Sequence, residues 1–161
     1  MSEQIEQGQL WLTQLLTLMG VPCGVECSQS AKDGPYWLTI AAQDLEPEQI
    51  EWLIGDRGKL IDTIQYLANT LLNASHDRPV QHPYTVELAD YRVRRQAELE
   101  ALVDQVAQKV RATGQEVELM DLSAAERRQI HTLFKESEDL TTESRGAEPH
   151  RRLFVLRRKL R

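Results

Sequence analysis

Leu53-Ile54-Gly55-Asp56-Arg57-Gly58-Lys59-Leu60-Ile61-Asp62-Thr63-Ile64 decides how the first half of this chain folds. Two glycines flank two polar residues between two helical runs. Lacking a Cβ, each glycine lets the backbone turn sharply and lets a ligand approach closely. The N–H groups that open the second helix have no intrahelical partners, so they can hold a phosphate. Arg57 and Lys59 add positive charge beside them. The plainer reading of the same residues is a tight helix–helix turn with no ligand. Before the loop, Pro47 suits a first helical turn, and Glu46 and Glu48 complement the helix dipole. Ile50, Leu53 and Ile54 form that helix's apolar side. After the loop, Leu60, Ile61, Ile64, Leu67, Ala68, Leu71 and Leu72 repeat at helical spacing.

Upstream, Leu12, Leu15, Leu16 and Met19 recur at spacings of three and four. They predict an amphipathic helix over Gln9 to Met19, stopped by Gly20 and Pro22. The helical period is lost from Val21 to Cys27, and Tyr36 to Ala41 is rich in aromatic and branched residues. Lys32-Asp33-Gly34-Pro35 is a turn signal, so the two stretches read as a β-hairpin. Downstream, Asn73 to Pro83 is polar and holds two prolines, which predicts a loop. Tyr84 to Leu88 alternates as a third strand. The order of elements is therefore α-β-β-α-α-β.

Asp90 reads as the N-cap of a long helix from Tyr91 to Arg111. Its stripe is Val93, Ala97, Leu99, Leu102, Val103, Val106 and Val110. Gly114 ends it, and Glu116 to Met120 is a short strand. Ser123, with Glu126 three residues on, forms a capping box that opens another helix. Two strands follow, near Asp139 to Ser144 and Arg152 to Leu156, joined by a turn at Gly146 and Pro149. The chain has 161 residues, room for one ordinary domain or two small ones. The boundary falls near Ala89, giving an α+β fold with domains over 1–89 and 90–161.

Hydrophobic residues make up 41% and charged residues 27%, a globular and not a disordered composition. The net charge of −6 argues against a generic nucleic-acid coat, yet it hides a polarity. Met1 to Ala89 carries 4 Lys and Arg against 12 Asp and Glu, whereas Asp90 to Arg161 carries 15 against 13. The low pI therefore leaves room for an anionic partner at the basic end. No apolar run approaches the length of a membrane span, about 18 residues, and the acidic start lacks the basic region of a secretory signal. A cytoplasmic protein is expected. Cys23 and Cys27 have no matching His or Cys cluster downstream, so they read as reduced, half-buried thiols and no metal or cofactor is expected.

Glu126-Arg127-Arg128-Gln129-Ile130-His131 lies in the helix after the capping box. Arg127 and His131 are four apart and share a face. From Glu148 to Arg161 the chain holds six basic residues and no further acid. A cationic helix face followed by a cationic segment suits a phosphate-bearing partner. A solvated helix face is the plainer reading of the pair. For His131 the plainer reading is a half-buried histidine under the last strands.

Taken together, the chain resembles the bacterial Jag family, the SpoIIIJ-associated or KhpB-type proteins that join a KH domain to an R-three-H domain. Leu53 to Leu67 is similar to the family's KH loop and helix. Asp90-Tyr91-Arg92-Val93-Arg94-Arg95 resembles the start of its connecting helix. Glu126 to His131, Thr142-Glu143-Ser144-Arg145-Gly146 and Glu148-Pro149-His150-Arg151-Arg152 resemble its R-three-H portion. The chain departs from the family in three ways. Asp56 stands where a basic residue is usual, Arg145 stands where an acid is usual, and the separate N-terminal Jag domain with its linker is not found. Partnerships that such a domain confers are therefore not expected here.

The resemblance implies a KH-like domain followed by an R-three-H domain, binding single-stranded RNA without catalysis as a post-transcriptional regulator. Single-stranded DNA is the alternative ligand, and no membrane partner is implied. Gly55, Asp56, Arg57, Gly58 and Lys59 would clamp backbone while the adjoining helix–strand groove, with Ile54, Ile61 and Ile64 nearby, packs bases. Arg127 would pair with phosphate, and His131 would hydrogen-bond or stack. Arg128, Arg145, Arg151 and Arg152 would supply further charge. Arg92, Arg94 and Arg95 include at least one plain solvating charge, and Trp11, Trp37 and Trp52 read as core or hairpin packing.

Two rivals belong to other classes. One is an adaptor that uses the acidic half for docking, with another small KH protein as partner. The other is a hydrolase or nuclease with His131 as general base, which lacks an accompanying carboxylate cluster or nucleophile. Steep salt dependence of RNA binding separates the first reading from the adaptor.

Overall fold

The computed structural model describes residues 3–29, 31, 34–74 and 82–159. It divides into two compact units, Met1–Arg92 and Val93–Arg161.

The first unit runs α1 (Glu3–Leu18), β1 (Val25–Gln29), β2 (Tyr36–Ile40), α2 (Pro47–Ile54), α3 (Lys59–Leu72) and β3 (Tyr84–Leu88). This is the expected α-β-β-α-α-β order. Its sheet has the order β1-β2-β3, with β1 antiparallel and β3 parallel to the central β2. Leu12 and Leu16 of α1, Leu53 of α2, and Ile61, Ile64 and Ala68 of α3 close over Leu38, Ile40, Val86 and Leu88. Gly8 lets α1 approach the sheet, because a Cβ there would fall 2.7 Å from Tyr84 Cε1. Tyr84 donates its hydroxyl to the Gln4 carbonyl at 2.9 Å. Burial pushes its pKa up to about 12, so this donor keeps its proton.

Helix α1 stops through a Schellman arrangement. Gly20, at φ 81°, donates to the Thr17 carbonyl, and Val21 donates to Leu16. Because Val21 serves the helix end, β1 starts at Val25 and not at Val21 as the lost helical period suggested. Of the predicted hairpin turn, Lys32 and Asp33 lie outside the described residues, as do residues 75–81 of the predicted loop. Cys23 and Cys27 are half-buried, as read from sequence, and burial raises both thiol pKa values. Trp52 is 51% exposed, so its assignment to packing is corrected. Leu53 is the fully buried residue of α2, and Ile50 and Ile54, partly buried, pack beside it against the core.

The second unit holds most of α4 (Tyr91–Thr113), then β4 (Val117–Leu119), α5 (Ala124–Lys135), β5 (Leu140–Arg145) and β6 (Arg152–Arg157). All pairings in its sheet are antiparallel, in the order β4-β6-β5. Leu153 and Val155 of the central strand point into a core with Leu99, Val106 and Val110 of α4 and Ile130 and Phe134 of α5. Alternation puts Phe154 and Leu156, both half-buried, on the opposite face of the sheet.

Two expectations for α4 are corrected. Asp90 sits at φ 56° in the left-handed region, and the helix-opening N–H of Arg92 donates instead to the buried Glu87 carboxylate at 3.2 Å. The apolar stripe also starts late, since Val93 is 67% exposed and Ala97 is exposed. Among the described residues no helix is long and apolar enough to cross a membrane, and no group of three or more His, Cys, Asp and Glu side chains is arranged to hold a metal.

Candidate nucleic-acid interface

The glycine loop joins α2 to α3 in the first unit. Helix α2 is opened by a reciprocal cap, in which the Glu46 side chain accepts from the Gln49 N–H and the Gln49 side chain accepts from the Glu46 N–H. Gly55 ends it at φ 74°, Asp56–Gly58 forms a 3-10 turn, and Gly58 at φ 79° opens α3. Arg57 is also left-handed, at φ 51°. Both glycines are dictated by packing. A Cβ on Gly55 would lie 2.9 Å from the Leu60 nitrogen, and one on Gly58 would fall on the Tyr91 hydroxyl and 2.6 Å from Cζ.

Asp56, Arg57 and Lys59 are exposed on this turn, where a ligand could reach them. Their charges, however, are already engaged with one another. Lys59 Nζ donates to Asp56 Oδ2 at 3.2 Å, and Arg57 Nε stands 3.9 Å from Asp56 Oδ1. Of the isoleucines expected near a base-packing groove, Ile61 and Ile64 are buried in the core and cannot themselves touch a base, whereas Ile54 is half-buried. Arg92 is likewise occupied. Its guanidinium meets Asp62 at 2.5 Å, Gln65 at 3.1 Å and the Val86 carbonyl at 3.2 Å. Arg94 is exposed, whereas Arg95 pairs with Glu126 at 2.7 Å and Glu98 at 2.9 Å.

In the second unit the capping box forms as read. Ser123 Oγ accepts from the Glu126 N–H at 3.1 Å, and the Ser123 N–H donates to Glu126 Oε2 at 2.9 Å. This start to α5 fixes the direction of its first turn. Arg127, Arg128 and His131 then project into an open pocket of about 600 Å³, completed by Ala124, Ser144, Glu148 and Arg151. Arg127 forms the floor and is only 7% exposed, so it meets the pocket from beneath and is not the open surface charge the sequence suggested. Its Nη1 donates to the Leu122 carbonyl at 2.7 Å, and its Nη2 pairs with the Glu148 carboxylate. The bland reading of His131 is also corrected, because His131 is exposed and its Nδ1 shares a hydrogen bond with the Thr142 hydroxyl.

Arg145 and Arg152 do not join this pocket. Ser144 lines it, so Arg145 points to the other face of β5. There Arg145 forks onto Glu116 at 2.8 and 2.9 Å, meets Glu143 at 3.1 Å and stacks 4.1 Å above the Phe154 ring. The hydrogen bonds from Arg145 lower the Glu116 pKa and keep that acid ionised. Arg152, directly across the strands from Arg145, pairs with Glu118 at 2.9 Å. Sequence reasoning missed Ser144 and Glu148 as pocket residues. The period-two alternation from Thr142 to Ser144 could have found the first.

The two folds define a two-module α+β protein, an α-β-β-α-α-β unit followed by a unit of helices on a three-stranded antiparallel sheet. Residues 97–157 match the R-three-H domain model. The chain is 31% identical over 137 residues to the RNA-binding protein KhpB of Clostridium symbiosum, covering 85% of this chain and 58% of the relative. It is 38% identical over 110 residues to the RNA-binding protein KhpB of Lactiplantibacillus plantarum, covering 66% of this chain and 33% of the relative. The match to RNA-binding protein KhpB of Bacillus subtilis is 26% over 156 residues, covering 95% of this chain and 70% of the relative. The chain is thus similar to KhpB, or Jag-type, proteins over most of its own length, and it spans about a third to a little over half of the first two relatives.

Proposed function

We propose that this chain binds single-stranded RNA without catalysis, as a cytoplasmic post-transcriptional regulator. The observation that carries the reading is the convergence of Arg127, Arg128, Arg151 and His131, with the Ser144 hydroxyl, on one pocket. Three guanidinium groups aimed at one space suit phosphate oxygens, because planar forks bind them through charge-assisted hydrogen bonds. Such contacts fix the register of a strand and carry no base information. The names of the relatives support RNA over DNA.

The test is binding of the full chain to a labelled single-stranded oligoribonucleotide across a salt series. Arg128→Ala with Arg151→Ala should weaken binding at least ~10-fold and flatten the salt slope by ~1.4, the share of two phosphates on a single strand. An unchanged slope in the folded double variant would remove the pocket from the interface. The same series on a DNA strand of equal sequence separates the two ligands, since only RNA offers a 2′-hydroxyl.

The glycine loop supports a second reading for the first unit alone, namely docking onto another protein, a small KH protein among the candidates. Asp56 offsets the cations there and would repel phosphate. If RNA does touch this loop, Asp56→Lys should tighten binding and steepen the slope by ~0.7. A slope that does not move, or a looser complex, would show that Asp56 points away from the RNA or serves as a helix cap.

A further inference from the structure

Among the described residues that line the pocket, Glu148 is the one acid, set among Arg127, Arg128, Arg151, His131, Ser144 and Ala124. Its carboxylate sits on Arg127 Nη2, a donor that points where an incoming phosphate oxygen would bind. The two partners differ sharply in setting. The Arg127 side chain is 9% exposed and anchored on its other arm by the Leu122 carbonyl, whereas the Glu148 side chain is 57% exposed. Arg127 is the partner described for Glu148, which rides on the turn between β5 and β6. The guanidinium is therefore fixed, and the carboxylate on it is free to exchange with solvent.

We propose that Glu148 is an internal competitor for the anion the pocket accepts, a specificity-determining residue whose carboxylate leaves Arg127 when a phosphate arrives. The proposal rests on the reading of the pocket as a nucleic-acid site. A carboxylate presents two oxygens in the plane of the guanidinium fork, much as a phosphate does. While it stays, Arg127 is satisfied without being desolvated alone, and weak anions gain nothing by entering. A ligand that also engages Arg128 and Arg151 gains enough to displace it. Glu148 thereby raises the threshold for binding and favours ligands that meet several pocket cations at once.

The sign of this effect makes it testable, since removing a pocket residue should tighten binding. A short labelled oligouridine is titrated into the full chain carrying Glu148→Gln, Glu148→Asp, Glu143→Gln or Arg128→Ala, at several salt concentrations, with circular dichroism on each. Glu148→Gln should bind roughly three- to tenfold tighter, with a slope steeper by ~0.7. Glu148→Asp keeps the charge but withdraws it from Arg127, and should recover part of that gain. Glu143→Gln changes net charge equally on the opposite sheet face and should bind nearly as wild type.

If Arg128→Ala weakens binding while Glu148→Gln leaves it unchanged or loosens it, Glu148 is a positioning group and the competitor idea falls, although the pocket stands. If Glu148→Asp matches wild type while Glu148→Gln tightens, repulsion at a distance replaces displacement and the idea again falls. If neither Arg128→Ala nor Glu148→Gln moves the affinity, the pocket is not the binding site and both readings fall together.

Discussion

Gly58→Ala should destabilise the first unit by about 2–4 kcal/mol, measured by chemical denaturation of the full chain. Two effects add. Gly58 has φ 79°, a left-handed geometry that costs an L residue about 1–2 kcal/mol. The new methyl would also land on the Tyr91 hydroxyl, 2.6 Å from Cζ and 2.9 Å from Cε1. Tyr91 cannot simply swing away, because its ring packs against the core and carries the Arg92 guanidinium 5.6 Å from its centroid. Combining Gly58→Ala with Tyr91→Ala should cost less than the sum of the single changes, since the clash disappears and only the backbone strain remains. Strict additivity, or a single-variant loss below about 0.5 kcal/mol, would show that the loop moves freely away from Tyr91.

Arg127→Ala should remove about 2–3 kcal/mol from the second unit and weaken RNA binding as well. The guanidinium is nearly inaccessible, and its loss leaves the Leu122 carbonyl without its donor. Glu148 lies in solvent and rehydrates, which keeps the loss below that of a fully buried pair. Arg127→Lys should not restore stability, because one ammonium cannot hold two acceptors in the planar geometry of a fork. His131→Ala provides the contrast. His131 is exposed, so its loss should leave the denaturation midpoint almost unmoved while weakening binding. Stability of Arg127→Ala equal to wild type would mean that the arginine is anchored for the ligand only.

The elements with strong local codes were legible in sequence. Pro47 at the start of α2, the Ser123–Glu126 box of α5 and the alternation of β3 are each decided within a few residues. What escaped depends on residues far apart. Glu87 takes the role assigned to Asp90 because the chain reverses through two left-handed residues, Ala89 and Asp90, and brings the Glu87 carboxylate under α4. Arg145 and Arg152 read as free cations because Glu116 and Glu118 reach them only through the pairing of β4, β5 and β6. Arg127 read as a surface charge because arginine usually is one. Its burial follows from how α5 meets the turn that carries Glu148.

The opening turn of α4 carries a consequence for how such chains can be recombined. Tyr91 lies against Gly58, and Arg92 grips Asp62, Gln65 and the Val86 carbonyl, so these residues belong to the first unit although the helix they start belongs chiefly to the second. A genetic crossover at Ala89, where the strand ends, would supply the glycine loop with a foreign tyrosine and arginine or none. One a few residues later, past Arg92, would keep the loop's own neighbours, and exposed Val93 and Arg94 would tolerate a new sequence. Shuffling of these two modules in evolution should therefore leave its seams inside the helix, after its first turn, and not in the loop that a map of helices and strands would suggest.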